Sequence, residues 1–106
     1  MPSRRFILIA GAAMLTFGAG PSQAETIQVT IDRLVFAPVE VTAKVGDTIE
    51  WVNKDKFVHT ATLKGGWEVM LPAGKSGTLV LEEAGSFNYY CRFHPNMKGR
   101  LTVSAP

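Results

Sequence analysis

The chain has only one cysteine, Cys91, and only two histidines, His59 and His94, in 106 residues. A lone thiol cannot close a disulfide within the chain, so it must be buried, shared with another chain or bound to something. Helical periodicity is missing as well: apolar residues nowhere recur at three- and four-residue steps over a useful length. Internal repeats and low-complexity tracts are absent, which leaves out solenoids and disordered modules. Neither sign of charge dominates. The chain has 11 basic and 9 acidic side chains, and two of the basic ones, Arg4 and Arg5, fall in a leader discussed next. The balanced remainder offers no basic face for nucleic acid and no strong electrostatic steering. Gly65-Gly66, with lysines nearby, has none of the pattern of a phosphate loop.

No apolar run is long enough to span a membrane comfortably. The longest, Phe6 to Gly20, falls short of the ~20 residues a bilayer requires. It follows the basic pair Arg4-Arg5 and precedes the small residues of Ser22-Gln23-Ala24. This is the layout of an export signal covering residues 1–24 and cleaved after Ala24. Ser3-Arg4-Arg5 also fits a twin-arginine signal, so the secretory and twin-arginine routes both stay open. Residues 25–106 then make one small periplasmic domain with no membrane anchor after cleavage. A domain of this size without disulfides sits near the lower edge of independent stability, and a bound metal would add to it.

Period-two alternation fills the rest. Ile27, Val29 and Ile31 alternate with polar neighbours, as do Val39 and Val41 beyond Pro38. Further strands are expected over Thr48–Val52, Val58–Leu63, Thr78–Leu81, Phe87–Cys91 and Leu101–Val103, with Gly or Pro turns between most of them. Trp67 to Leu71 allows a short helix, but the segment is too brief to decide. About seven short strands at this spacing indicate an all-β sandwich or barrel. Phe87, Tyr89 and Cys91 share one face of their strand, so Cys91 arrives at a strand end beside two aromatics. Trp51 is expected in the core.

The rare residues converge on one pattern. Cys91, His94 and Met97 follow each other as Cys-x2-His-x2-Met, with His59 on an earlier strand. A thiolate, two imidazoles and a thioether suit copper, and a trigonal Cys-His-His set with a weak axial Met is a blue-copper electron-transfer arrangement. Taken singly, each residue has an ordinary packing role available; the joint spacing is what points to a metal. Zinc would leave Met97 unexplained, a Cys91–His94 nucleophile pair lacks an evident alignment, and no histidines remain for further copper ions. The leading reading is a periplasmic carrier of single electrons through Cu(II)/Cu(I), with no substrate of its own. The alternative is a copper carrier or resistance protein that binds without redox turnover. A third reading, a metal-free interaction module, leaves the clustering of rare ligands without a purpose.

From Val39 to Val103 the chain resembles the cupredoxin family. The likeness rests on Val45-Gly46-Asp47-Thr48-Ile49-Glu50-Trp51-Val52-Asn53, Val58-His59-Thr60-Ala61, Pro72-Ala73-Gly74, Glu83 to Cys91 and Met97-Lys98-Gly99. The two-residue spacings around His94 are similar to the short ligand loop of the amicyanin-like members. The resemblance implies a Greek-key β-sandwich of seven to eight strands holding one copper ion. It implies His59, Cys91 and His94 as equatorial ligands, the imidazoles through Nδ1, with Met97 as the long axial one. It further implies a monomer whose redox donor and acceptor (a dehydrogenase, cytochrome or oxidase) dock near His94. Two positions depart from the family pattern. Thr60 stands where an asparagine often braces the ligand loop, and Asn96 stands where an aromatic precedes the methionine. The docking face would then rely on Pro95 and Phe93, with Phe57, Met70 or Leu71, so no particular dehydrogenase is carried over as partner.

Overall fold

The computed structural model describes residues 23–106, so the expected signal at 1–24 lies almost wholly outside the described residues. Every element among the described residues is a strand: β1 (Thr26–Asp32), β2 (Val35–Ala37), β3 (Glu40–Lys44), β4 (Thr48–Asn53) and β5 (His59–Thr62), followed by β6 (Glu68–Leu71), β7 (Ser76–Val80), β8 (Gly85–Cys91) and β9 (His94–Ser104). Two of the nine were not expected as strands. β6 replaces the short helix allowed for Trp67 to Leu71, because its backbone pairs in register with β5, from Glu68 opposite Thr62 to Leu71 opposite His59. β2 pairs with β1 across a two-residue turn in which Arg33 and Leu34 both take positive φ, 54° and 66°. That is the backbone such tight hairpins require, normally supplied by Asn-Gly.

The strands form a four-stranded sheet, β2-β1-β4-β7, and a five-stranded sheet, β3-β9-β8-β5-β6. The β1–β4 and β3–β9 pairs are parallel and the remaining pairs antiparallel. Alternation decides which side chains meet between the sheets: Ile49, Trp51 and Asn53 point inward from β4, and Met97, Leu101 and Val103 from β9. At one side β6 and β7 come so close that a Cβ on Gly77 would sit 2.6 Å from the Val69 side chain and 3.2 Å from the Met70 carbonyl.

Aromatics join the layers. Trp51, from the smaller sheet, donates its indole N–H to the Tyr89 hydroxyl of the larger sheet at 3.2 Å. The Phe36 ring stands edge-on to Tyr89 at 4.9 Å, and Trp67 lies 6.0 Å from both Trp51 and Tyr89. Burial pushes the Tyr89 hydroxyl up to about 12, with the hydrogen bond from Trp51 partly opposing it. Trp51 is thus the core residue the alternation predicts.

Asp47 is buried at the turn between β3 and β4. It accepts the backbone N–H groups of Glu25 at 3.0 Å and Lys44 at 2.9 Å, and the Lys44 ammonium lies 3.7 Å away. The two backbone bonds hold its carboxyl below the usual value, against the opposing effect of burial. A carboxylate lowered by folding stabilises the native state above its unfolded pKa of about 3.9, and that contribution disappears as pH falls through the folded value. The midpoint of thermal unfolding of the metal-free protein is therefore expected to hold steady near neutrality and to drop below about pH 4. Asp47→Asn should flatten that drop, as followed by circular dichroism.

Candidate metal centre

Cys91 ends β8 and His94 opens β9, with only Arg92 and Phe93 in the turn between them. Opposite Cys91 stands His94, and opposite Tyr90 stands Lys98. Pro95, Asn96 and Met97 therefore have no partners on β8; they form a bulge, a device that redirects side chains at a sheet's end. Met97 turns inward from it and is buried among core side chains. His59, the first residue of β5, is wholly buried. Its Nδ1 lies 3.6 Å from the Cys91 sulfur, and the Nδ1 of His94 lies 3.8 Å from the same atom. The donor atoms of His59, Cys91 and His94 all fall within 4.8 Å of one another and make a potential metal-ligand group.

A first-row ion sits ~2.0–2.3 Å from nitrogen and sulfur ligands. Three such donors at the corners of a triangle around it would stand about 3.5–3.8 Å apart, taking those bond lengths. The two sulfur–nitrogen separations match that spacing, so the residues present fit one ion. The softness of the set selects copper from the first-row metals.

The surroundings hold the donors in place. The Thr60 N–H points at the Cys91 sulfur at 3.4 Å. The Thr60 hydroxyl accepts the Arg92 N–H at 2.8 Å, so this threonine ties the strand of His59 to the turn after Cys91. It also lies 2.8 Å from the Thr62 hydroxyl, which donates to Glu68, and Glu68 receives Arg92 through Nε and Nη2 at 2.8 and 3.0 Å. The bonds from Arg92 and then Thr62 draw the Glu68 carboxyl below its ordinary value. Thr60 thus braces the turn after Cys91 and, through Thr62, is linked to Glu68 and Arg92.

Three residues of this environment escaped sequence reasoning. Asn53 is buried and donates through Nδ2 to the carbonyls of Phe57 and Leu71, both at 2.9 Å, and of Pro72 at 3.2 Å. It thereby shapes the connection from β4 to β5. Its Oδ1 accepts the N–H of Asp55 at 2.9 Å, and Asp55 in turn contacts the outer nitrogen of His59 at 2.8 Å. Glu68 is the third. Asp55 and Glu68 carry no motif, and Asn53 only closes a segment of the family resemblance; the fold brings all three to the site.

His94 is half-buried beside Phe57, their rings 5.8 Å apart. Phe57, Met70 and Phe93 are exposed large apolar side chains. Leu71 is not: it is fully buried, because its place in the β6 alternation turns it into the core.

Residues 5–103 match the family model described as a cupredoxin-like domain. The chain belongs to the cupredoxin-like family. Among related proteins, the amicyanin of Paracoccus versutus is 31% identical over 87 residues, a match covering 76% of this chain and 66% of that protein. The plastocyanin of Scenedesmus fuscus is 32% identical over 85 residues, covering 66% of this chain and 87% of its own. A solved structure of an amicyanin variant in its Cu(I) form superposes with a TM-score of 0.69 at 28% identity, covering 74% of this chain and 82% of the other. This cupredoxin-like chain thus shares its sandwich with a protein whose copper form has been determined. It also places a His-Cys-His donor group at one end of its larger sheet.

Proposed function

We propose that the protein is a periplasmic type 1 copper protein passing single electrons between redox partners, with His59, Cys91 and His94 as equatorial ligands and Met97 as the weak axial one. The observation that carries this reading is the convergence of both imidazole Nδ1 atoms on the Cys91 sulfur, at 3.6 and 3.8 Å, in a largely buried pocket. Bound copper would supply a one-electron couple, Cu(II)/Cu(I). The chain contributes rigidity: Thr60 fastens the Cys91 turn, the two-residue hairpin fixes His94 relative to Cys91, and the bulge holds Met97 in the core. Donors held this firmly need little rearrangement when the charge at the centre changes.

His94 offers the route outward. It is the one donor of the three that is not fully buried, and exposed Phe57, Met70 and Phe93 give the surface nearby an apolar character. A redox protein docking there would approach the site without displacing a buried residue. Export rests on the reading of residues 1–24.

Visible absorption and electron paramagnetic resonance of the Cu(II)-loaded protein test the assignment. The expected result is an intense blue band with narrow copper hyperfine splitting, lost in Cys91→Ala. A pale spectrum with wide splitting would mean the thiolate is not bonding as described, and binding without redox turnover would become the better account.

A further inference from the structure

The outer nitrogen of His59 has a charged neighbour. The Asp55 carboxylate sits on the β4–β5 connection with its side chain only 9% exposed, and its Oδ2 lies 2.8 Å from His59 Nε2. The same carboxylate accepts two backbone N–H groups of the β1–β2 turn, Arg33 on Oδ1 at 2.8 Å and Leu34 on Oδ2 at 3.0 Å. Both carboxylate oxygens are thus engaged as acceptors by fixed backbone donors. Asp55 is therefore an acceptor only. An imidazole facing such an acceptor must carry its proton on that side, which leaves the lone pair on Nδ1, the atom that faces Cys91.

We infer that Asp55 is a positioning residue for the metal centre: it fixes the His59 tautomer and strengthens His59 as a donor, favouring the oxidised ion. This rests on the copper reading above. Outer partners of metal-bound histidines orient the ring and raise its basicity, and their loss costs ~10–100-fold in metal affinity. A negatively charged acceptor pulls harder on the Nε2 proton than a neutral one, so electron density on the ring rises. The more highly charged Cu(II) gains more from that density than Cu(I) does. Asp55 also ties the strained Arg33-Leu34 turn to the ligand, so a single carboxylate holds both.

Asp55→Asn and Asp55→Ala separate these roles. An asparagine oxygen can still accept the Nε2 proton but brings no charge; alanine removes the acceptor altogether. Nitrogen-15 NMR of the metal-free protein is expected to show His59 protonated at Nε2, a state kept in Asp55→Asn and mixed in Asp55→Ala. In the loaded protein, Cu(II) affinity should fall ~10-fold or more in Asp55→Asn, while Cu(I) affinity changes less, so the reduction potential rises. Unchanged tautomer in Asp55→Ala, or an unchanged ratio of the two affinities in both variants, would overturn the inference. Loss of thermal stability alone, with tautomer and ratio intact, would reduce Asp55 to a clamp on the turn. Failure of the unsubstituted protein to give a type 1 spectrum would sink the copper reading and the donor role with it. The tautomer measurement needs no metal and tells the two failures apart.

Discussion

Trp51→Ala is expected to remove about 3–5 kcal/mol of stability, much of the ~5–15 kcal/mol that holds a typical domain together. The indole is completely buried and bridges the two sheets through its bond to Tyr89. Its removal opens a cavity between layers that the ladders hold at a set distance, so little collapse can offset the loss. It also takes the donor away from the buried Tyr89 hydroxyl. Trp51→Phe keeps much of the apolar volume but not the N–H, and should fall in between. Urea unfolding of the metal-free protein gives the comparison. A loss under about 1 kcal/mol for alanine, against the usual cost of emptying an aromatic site, would show that the sheets close on the gap. Tyr89 lies on the same face of β8 as Cys91, two residues before it, so a loosened ring should also blur the Cu(II) spectrum.

Gly99→Ala should do damage from the opposite direction. A Cβ there would sit 2.4 Å from Cζ and 2.5 Å from the hydroxyl oxygen of Tyr89, distances no pair of such atoms tolerates. The ring has nowhere to go, since Phe36, Trp51 and Trp67 surround it. Either β9 shifts or the core opens, at a cost of about 1–3 kcal/mol or more. Gly99 pairs with Tyr89 next to the Tyr90–Lys98 pair where the bulge begins, so a displaced β9 would carry Met97 with it. A lower unfolding midpoint together with an altered copper spectrum is the expected pair of results. Combining Gly99→Ala with Tyr89→Leu should cost clearly less than the two single losses added together, because the second change removes the obstacle. Simple additivity would mean that the clash is relieved elsewhere.

The candidate donor residues stood out because their chemistry is rare and local: Cys91, His94 and Met97 occupy seven residues, and His59 is the one histidine left. Strands such as β4 were legible because one face is buried, which prints alternation into the sequence. β2 was not, since its turn uses Arg33 and Leu34, residues that do not ask for positive φ. Asp55, far along the chain, receives both their N–H groups and makes that turn tenable. β6 was ambiguous because four residues suit either a helical turn or a strand, and pairing with β5 decides. From sequence the stretch after Cys91 has only the look of a ligand loop, whereas β9 already begins at His94; a ladder with a bulge leaves no periodic mark. Thr60 was recognised as a departure from the family, but its connection through Thr62 to Glu68 and Arg92 depends on side chains meeting across strands.

The position of β9 bears on how the molecule comes together. It is the last of the nine described strands and yet an interior strand of its sheet, lying between β3 and β8. Until it is in place, β3 has no neighbour in that sheet and β8 presents a bare edge, which is a hazard for association with other chains. Two of the proposed ligands, His94 and Met97, arrive on the same strand. A nascent or truncated chain therefore lacks the means both to finish the larger sheet and to assemble the donor set. Completing the larger sheet and assembling the donor set therefore depend on the same strand, and pairs as distant as Glu40 with Arg100 are of the kind that slows folding.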